Sequence, residues 1–286
     1  GKVVWGRTVR DVLNVMGIGP DLYLREEDQA NIDWIHRRTA GEEIFFIRNK
    51  QNTPTRQVVT FRVKGMIPQQ WNPSTGAVTD ISLYTQTAEG TSIPLYLEPH
   101  ESLFIVFKKG TPAAFEDVVL NGKSVYDELN QNVSWRFADG GVLVSGEGTW
   151  SWSRGGKHHT VTTSASAVKE LNGPWVVRFD KTKNAPPLDT MNTLIPLNES
   201  GDERIRHYSG LAAYEHTFML DQNAFKQKQR IILELGDVKE IAEVFVNGVN
   251  IGTAWHTPFR LDITNVARPG SNTITVEVVN TINNGL

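Results

Sequence analysis

The run from Gly236 to Asn280, GDVKEIAEVFVNGVNIGTAWHTPFRLDITNVARPGSNTITVEVVN, leaves this chain little choice of fold. Two strand-like pieces, Glu243–Val246 and Val249–Gly252, flank Asn247-Gly248. That dipeptide accepts the positive φ angles a two-residue type I′ hairpin demands. Phe259, Leu261 and Ile263 then alternate with Arg260, Asp262 and Thr264. After a Pro269-Gly270 turn, Ile274, Val276 and Val278 alternate with Thr275, Glu277 and Val279. A period of two puts apolar side chains on one face of each strand, and short strands of this kind joined by tight turns predict one wall of a β-sandwich.

The same character extends upstream as far as Asn31. Ile44–Ile47 is a buried run, Val59, Phe61 and Val63 alternate with Thr60, Arg62 and Lys64, and Leu103–Phe107 is a continuous apolar strand. Turn chemistry falls between them at Asn72-Pro73 with Gly76, at Glu89-Gly90 and at Lys109-Gly110. Val133–Phe137, Val142–Val144 and His158–Thr163 predict further strands, with a short helix at Ser124–Asn130. Before Asn31 the pattern differs. Val3-Val4-Trp5 reads as a buried strand, and Thr8 with Asp11 forms a capping box ahead of Val9, Val12, Leu13 and Met16 on one helical face. One βα unit cannot make a parallel sheet, so it is expected to be the last piece of an α/β domain lying before Gly1. The expected organisation is a mainly β chain with a βα remnant at 1–26, a β-sandwich at 27–168 and a second sandwich at 169–286.

Composition narrows the chemistry. A net charge of −3 with both signs interspersed and no basic block points away from nucleic acid and from an anionic membrane. The chain has no cysteine, which removes disulfides, thiolate metal sites and cysteine nucleophiles. No apolar run approaches bilayer-spanning length. No signal peptide is seen, but the chain opens on Gly rather than Met, so that observation carries little.

Several residues carry a resemblance. Leu171-Asn172-Gly173-Pro174-Trp175, Tyr208-Ser209-Gly210, the VNG at 246–248 and Pro258-Phe259 followed by Asp262-Ile263-Thr264 resemble the galactose-binding-like, sugar-binding jelly roll of glycoside hydrolase family 2. Upstream, Trp34–Arg38, Glu43–Asn49, Phe61–Gly65, Trp71–Gly76 and Leu97–Phe107 resemble the region that follows the catalytic barrel in glycoside hydrolase family 106, the α-L-rhamnosidases. The resemblance implies that the two catalytic carboxylates belong to a barrel outside this chain, a partner within the same parent polypeptide, and that the protein is bacterial and periplasmic or extracellular. The end departs from the family pattern: Asn280 and Asn284 hold their positions, but Ile282 and Gly285 stand where Trp and Arg are expected.

The residues themselves advertise no catalytic centre. Glycosidases need two carboxylates placed across a bond, and no pair stands out here. No G-x-S-x-G elbow precedes a helix. His158-His159 are neighbours on a strand and point to opposite faces, which disfavours a shared metal ion. No catalytic residue, metal or cofactor is therefore assigned. Of the eight Trp, Trp5, Trp34 and Trp175 are expected to be packing residues, and the Trp150-Ser151-Trp152 pair suits a buried face or an exposed platform. Trp255-His256, in a loop before Pro258, is the best sugar contact, since a flat ring covers the C–H face of a pyranose. Arg206, Tyr208, Asn280 and Asn284 complete the candidate set. The expected role is a non-catalytic, carbohydrate-binding accessory region for an oligosaccharide or polysaccharide. A free-standing carbohydrate-binding module is the alternative, and a complete glycosidase is the third reading.

Overall fold

The computed structural model describes residues 3–24, 31–111, 114–127, 133–138, 140–180, 184–225, 229–239 and 241–280. The chain is mainly β and divides into two compact units, Gly1–Ala167 and Val168–Leu286.

In the first unit the predicted helix forms at Val9–Val15 behind its capping box, with the Asp11 N–H donating to Thr8 Oγ1 and the Thr8 N–H to Asp11 Oδ2, both at 3.2 Å. It buries none of its residues. The strand expected at Val3–Trp5 is absent, and Trp5 is exposed rather than packed. Three apolar residues make a strand only when a neighbour takes their backbone hydrogen bonds. Among the described residues none does.

The chain then enters an antiparallel sandwich. One sheet runs in the order Ile32–Arg38, Glu42–Asn49, Ser102–Lys108, Ile67–Trp71, Val78–Asp80. The other runs Leu22–Tyr23, Thr55–Phe61, Thr91–Leu97, Thr85–Gln86. Phe45 and Phe107 from the first sheet meet Phe61 from the second at ring centroid distances of 4.9 and 5.2 Å, so the aromatic core forms where the two inner faces interdigitate. A further sheet, Lys123–Ser124, Glu116–Leu120, Gly148–Arg154, Lys157–Thr163, and the hairpin of Ser134–Ala138 with Gly141–Ser145 complete the unit. Trp135 Nε1 donates to Pro94 O at 2.9 Å and ties that hairpin to the Thr91–Leu97 strand. The helix expected at Ser124–Asn130 does not appear in its described part, because buried Val125 returns to the sheet through a 3.3 Å bond to Val118 O.

The second unit is built on a six-stranded antiparallel sheet in the order Leu188–Met191, Trp175–Phe179, Leu211–Leu220, Gly270–Val279, Ile241–Val246, Val249–Ala254. A two-stranded ribbon, Ile232–Glu234 with Arg260–Asp262, accompanies it. Alternation decides which side of the sheet is dry. Ala242, Val244, Val246, Ile274, Val276, Phe218 and Trp175 pack with Leu233 and Ile263 in one core. The Asn247-Gly248 turn has φ of 52° and 79°, the double positive that a type I′ hairpin requires.

Candidate carbohydrate-binding end of the second unit

The described candidate residues lie at one end of the six-stranded sheet, in two groups. The first begins at a short helix, Glu203–Arg206, whose N-cap Asp202 accepts from the Arg204 N–H at 2.9 Å. Paired hydrogen bonds to Arg204 hold the Asp202 carboxyl below the usual carboxylate range. Ile205 anchors this helix in a small core with Phe179, Met191 and Ala212. Arg206 is half-buried, and its Nε donates to Ser200 O at 3.0 Å.

Tyr208 needs correcting as a ligand residue. It is 2% exposed, its ring packs edge-on against Phe179 at 4.9 Å, and its hydroxyl donates to Leu211 O at 2.6 Å while accepting from the Asp180 N–H at 3.1 Å. Burial pushes its phenol pKa up. The same cause, with Tyr208 alongside, takes neighbouring Tyr214 to about 12. Asn280 is likewise turned inward. Its Oδ1 accepts from the Gly210 N–H and its Nδ2 donates to Tyr208 O, both at 2.8 Å. Gly210 fits this knot because its φ is 152° and a Cβ there would stand 2.9 Å from the Tyr208 hydroxyl. The Tyr-Ser-Gly motif thus ties the start of the Leu211–Leu220 strand to the residue that follows the Gly270–Val279 strand. Asn284 lies outside the described residues.

The second group is the loop after the Val249–Ala254 strand. Ala254 is buried opposite Ala242, and Phe259 is buried five residues on, with its carbonyl accepting from the Leu235 N–H at 2.9 Å. Between these anchors Trp255 stands 55% exposed. The His256 ring meets it edge to face, 4.6 Å away at 88°. His256 Nδ1 lies 2.8 Å from Thr257 O, which fixes that nitrogen as the donor. One strand, Ile241–Val246, lies between the strand leading into this loop and the one that ends at Asn280, two strand spacings or about 10 Å. The loop offers an open aromatic face with a titratable donor beside it.

Other sequence candidates are accounted for by packing. Trp175 is buried, stacked on His216 at 4.7 Å, and Trp150 is buried in the first unit. Trp152 is half-buried and stacks on His159 across the hairpin at 5.4 Å. His158 lies 3.4 Å from Thr160 Oγ1, and among the described residues no three His, Asp or Glu side chains are grouped to hold a metal ion.

A charged chain in the first unit had no marker in the sequence. His36 stacks flat on Phe45 at 4.1 Å and places its two ring nitrogens 2.9 Å from Asp21 and 2.7 Å from Glu43. Arg62 pairs with Asp21, and Arg38 with Glu43 at 2.6 Å. Burial raises the Asp21 carboxyl pKa, but hydrogen bonds from His36 and Arg62 outweigh it and the carboxyl lies below its ordinary range. An anion pinned in this way is the opposite of a general acid, which needs a raised pKa.

Comparison with known proteins agrees with this architecture. Residues 196–286 match the glycosyl hydrolase 2 galactose-binding domain-like family, and residues 1–86 match the α-L-rhamnosidase family, glycoside hydrolase family 106. A rhamnosidase from Novosphingobium sp. PP1Y superposes with a TM-score of 0.72 at 30% identity, over 96% of this chain and 22% of that one. A putative β-glucuronidase of Formosa agariphila is 34% identical over 152 residues, 49% of this chain and 13% of the relative. A β-glucuronidase of Paenibacillus borealis is 30% identical over 135 residues, 42% of this chain and 22% of the relative. The chain thus spans between an eighth and a quarter of the length of these relatives. It is a glycoside-hydrolase-related protein carrying a family 2-type, galactose-binding-like domain. More particularly, it is α-L-rhamnosidase-like, resembling glycoside hydrolase family 106 ahead of that domain.

Proposed function

We propose that this chain is a non-catalytic, carbohydrate-binding accessory region that braces or extends the substrate site of a catalytic barrel in the same parent polypeptide. The observation that carries the reading is the exposed Trp255 ring beside His256, held between two buried anchors on the galactose-binding-like unit. An indole at such a position stacks on the apolar face of a pyranose, and the imidazole supplies a polar contact to a hydroxyl. A bacterial periplasmic or extracellular location belongs to the same proposal, since polysaccharide is met there; cell fractionation of the source organism tests it.

The test is a titration of the chain and of Trp255→Ala with rhamnose- and galactose-containing oligosaccharides, alongside thermal melts and an aryl glycoside assay. Wild type binds, the variant loses binding, and its melting temperature stays within about 2 °C, because an exposed ring contributes little burial. No aryl glycoside is hydrolysed. Absence of any saccharide binding by wild type, or turnover that disappears on one Glu→Gln change, would remove the proposal.

A further inference from the structure

The outer face of the five-stranded sheet in the first unit carries an aromatic row that the core does not use. Ile35 is the register partner of Phe46, Phe46 of Phe104, Phe104 of Trp71 and Trp71 of Val78, so the five stand side by side across every strand. They span about 19 Å, four strand spacings. Phe45, Leu103 and Phe107 alternate with them and point the other way, into a core that includes none of the five. Ile35 and Val78, at the two ends, are 58% and 48% exposed. Phe46, Phe104 and Trp71 between them are half-buried, with the two phenyl rings 5.2 Å apart. When one face of an antiparallel sheet is in the core, the other is ordinarily polar. Here half-buried Ile44 and buried Val106, beside the row, widen the departure.

The charges on this face do not balance within it. Asp33, opposite Arg48 in register, pairs instead with Lys50 at 3.3 Å. Glu42 pairs with Lys108 at 3.6 Å, and Asp80 accepts from Gln69 Nε2 at 2.8 Å. Each carboxylate is thus answered. Arg37 and Arg48 are not: both are exposed, and among the described residues neither side chain has an ion pair or hydrogen bond. Arg48 stands two residues beyond Phe46, and Arg37 two residues beyond Ile35 on the antiparallel neighbour. The two guanidinium groups therefore flank the row at Phe46, one on each side, within reach of a ligand lying on the rings. Lys108, whose Nζ lies 4.8 Å over the Trp71 ring, adds a third cation further along.

We infer that this face binds an acidic polysaccharide whose charge is a uronate carboxylate. Flat rings in a row cover the C–H faces of successive pyranoses, and a planar guanidinium meets a carboxylate through two parallel hydrogen bonds. A neutral glycan would leave both arginines without a counter-charge. An apolar protein face would bury them unpaired, at a cost that its own burial does not offset. This site lies in the other unit from Trp255 and takes a different class of sugar, so the two readings stand or fall separately.

Isothermal titration calorimetry of the full chain with hexagalacturonate, its methyl ester and dextran sulfate tests the inference. Wild type binds hexagalacturonate. The methyl ester keeps the sugar rings and loses the charge, and binds about tenfold more weakly. Arg37→Gln combined with Arg48→Gln weakens hexagalacturonate about tenfold, while the melting temperature stays within about 2 °C because both side chains are exposed and unpaired. Phe46→Leu, which keeps an apolar side chain but removes the flat ring, weakens it about threefold. Trp255→Ala leaves it unchanged. The assignment is overturned if wild type shows no binding at about 5 mM hexagalacturonate, or if the methyl ester or dextran sulfate binds as tightly. Wild-type affinity in the double arginine variant, or a loss that falls on Trp255→Ala instead, overturns it equally. So does a dimer in sedimentation equilibrium that Ile35→Asp dissociates, since the face then belongs to a second copy.

Discussion

Replacing Asn280 by Ala separates a residue that holds the fold from one that holds a ligand. Its amide bridges two backbone groups of the Tyr208–Gly210 segment, accepting from the Gly210 N–H and donating to the Tyr208 carbonyl, each at 2.8 Å. A neutral hydrogen bond contributes about 1 kcal/mol net, and more when a partner is left without water. Truncation therefore costs about 2 kcal/mol. For a unit the size of Val168–Leu286, 1 kcal/mol moves the melting temperature by about 4 °C, which gives a fall of about 8 °C. Asn280→Asp keeps the acceptor but sets a carboxylate against the Tyr208 carbonyl, so it should be no milder. Differential scanning calorimetry reads the shift, with saccharide titration at 25 °C on the same samples. A melting temperature unchanged to about 1 °C together with lost saccharide binding would refute the argument and return Asn280 to the ligand set.

In the first unit, the Asp21 carboxyl lies below its ordinary range in the folded state, so it contributes stability above the unfolded value of about 4. That contribution is lost as pH falls through the folded value. Melting curves taken from pH 6 down to about 2.5 should show this acid loss reduced in Asp21→Asn, and an identical pH dependence in both proteins would contradict it. Phe45 is fully buried, stacked on His36 and in edge contact with Phe61, so Phe45→Ala should cost about 3–5 kcal/mol by chemical denaturation; a loss under 1 kcal/mol would mean that the core refills the cavity.

The sandwich walls were legible because strand burial writes itself as a period of two and because Asn247-Gly248 admits one kind of turn. The N-terminal helix was legible from its capping box. Trp5 was not, since an apolar triplet says nothing about whether a neighbouring strand exists to pair with it. Tyr208 reads from sequence as a candidate contact because it stands in a segment that flanks a strand. Its hydroxyl is consumed by the Asp180 N–H and the Leu211 carbonyl, and the first of these partners lies 28 positions away. The same limit hides the neighbourhood of Leu211, Ile241 and Val279, which stand side by side only through the register of strands distant in sequence. Trp255-His256 stood out for the opposite reason. A loop aromatic bounded by buried Ala254 and Phe259 has few ways to hide.

The Gly270–Val279 strand is formed late in the chain but sits in the middle of its sheet, between Leu211–Leu220 and Ile241–Val246. Its ten residues pair along their full length with the former, from Leu220 opposite Gly270 to Leu211 opposite Val279. During synthesis, the earlier strands of this unit emerge before the one that joins them. Neither of the two flanking strands has another route to the other, so the sheet cannot close until residue 279 has left the ribosome, and pairing over such a separation is slow. In the interval the Leu211–Leu220 and Ile241–Val246 edges are bare templates for a neighbouring nascent chain. Yield in expression should therefore respond to chaperone supply and growth temperature more steeply for this unit than its final stability would suggest.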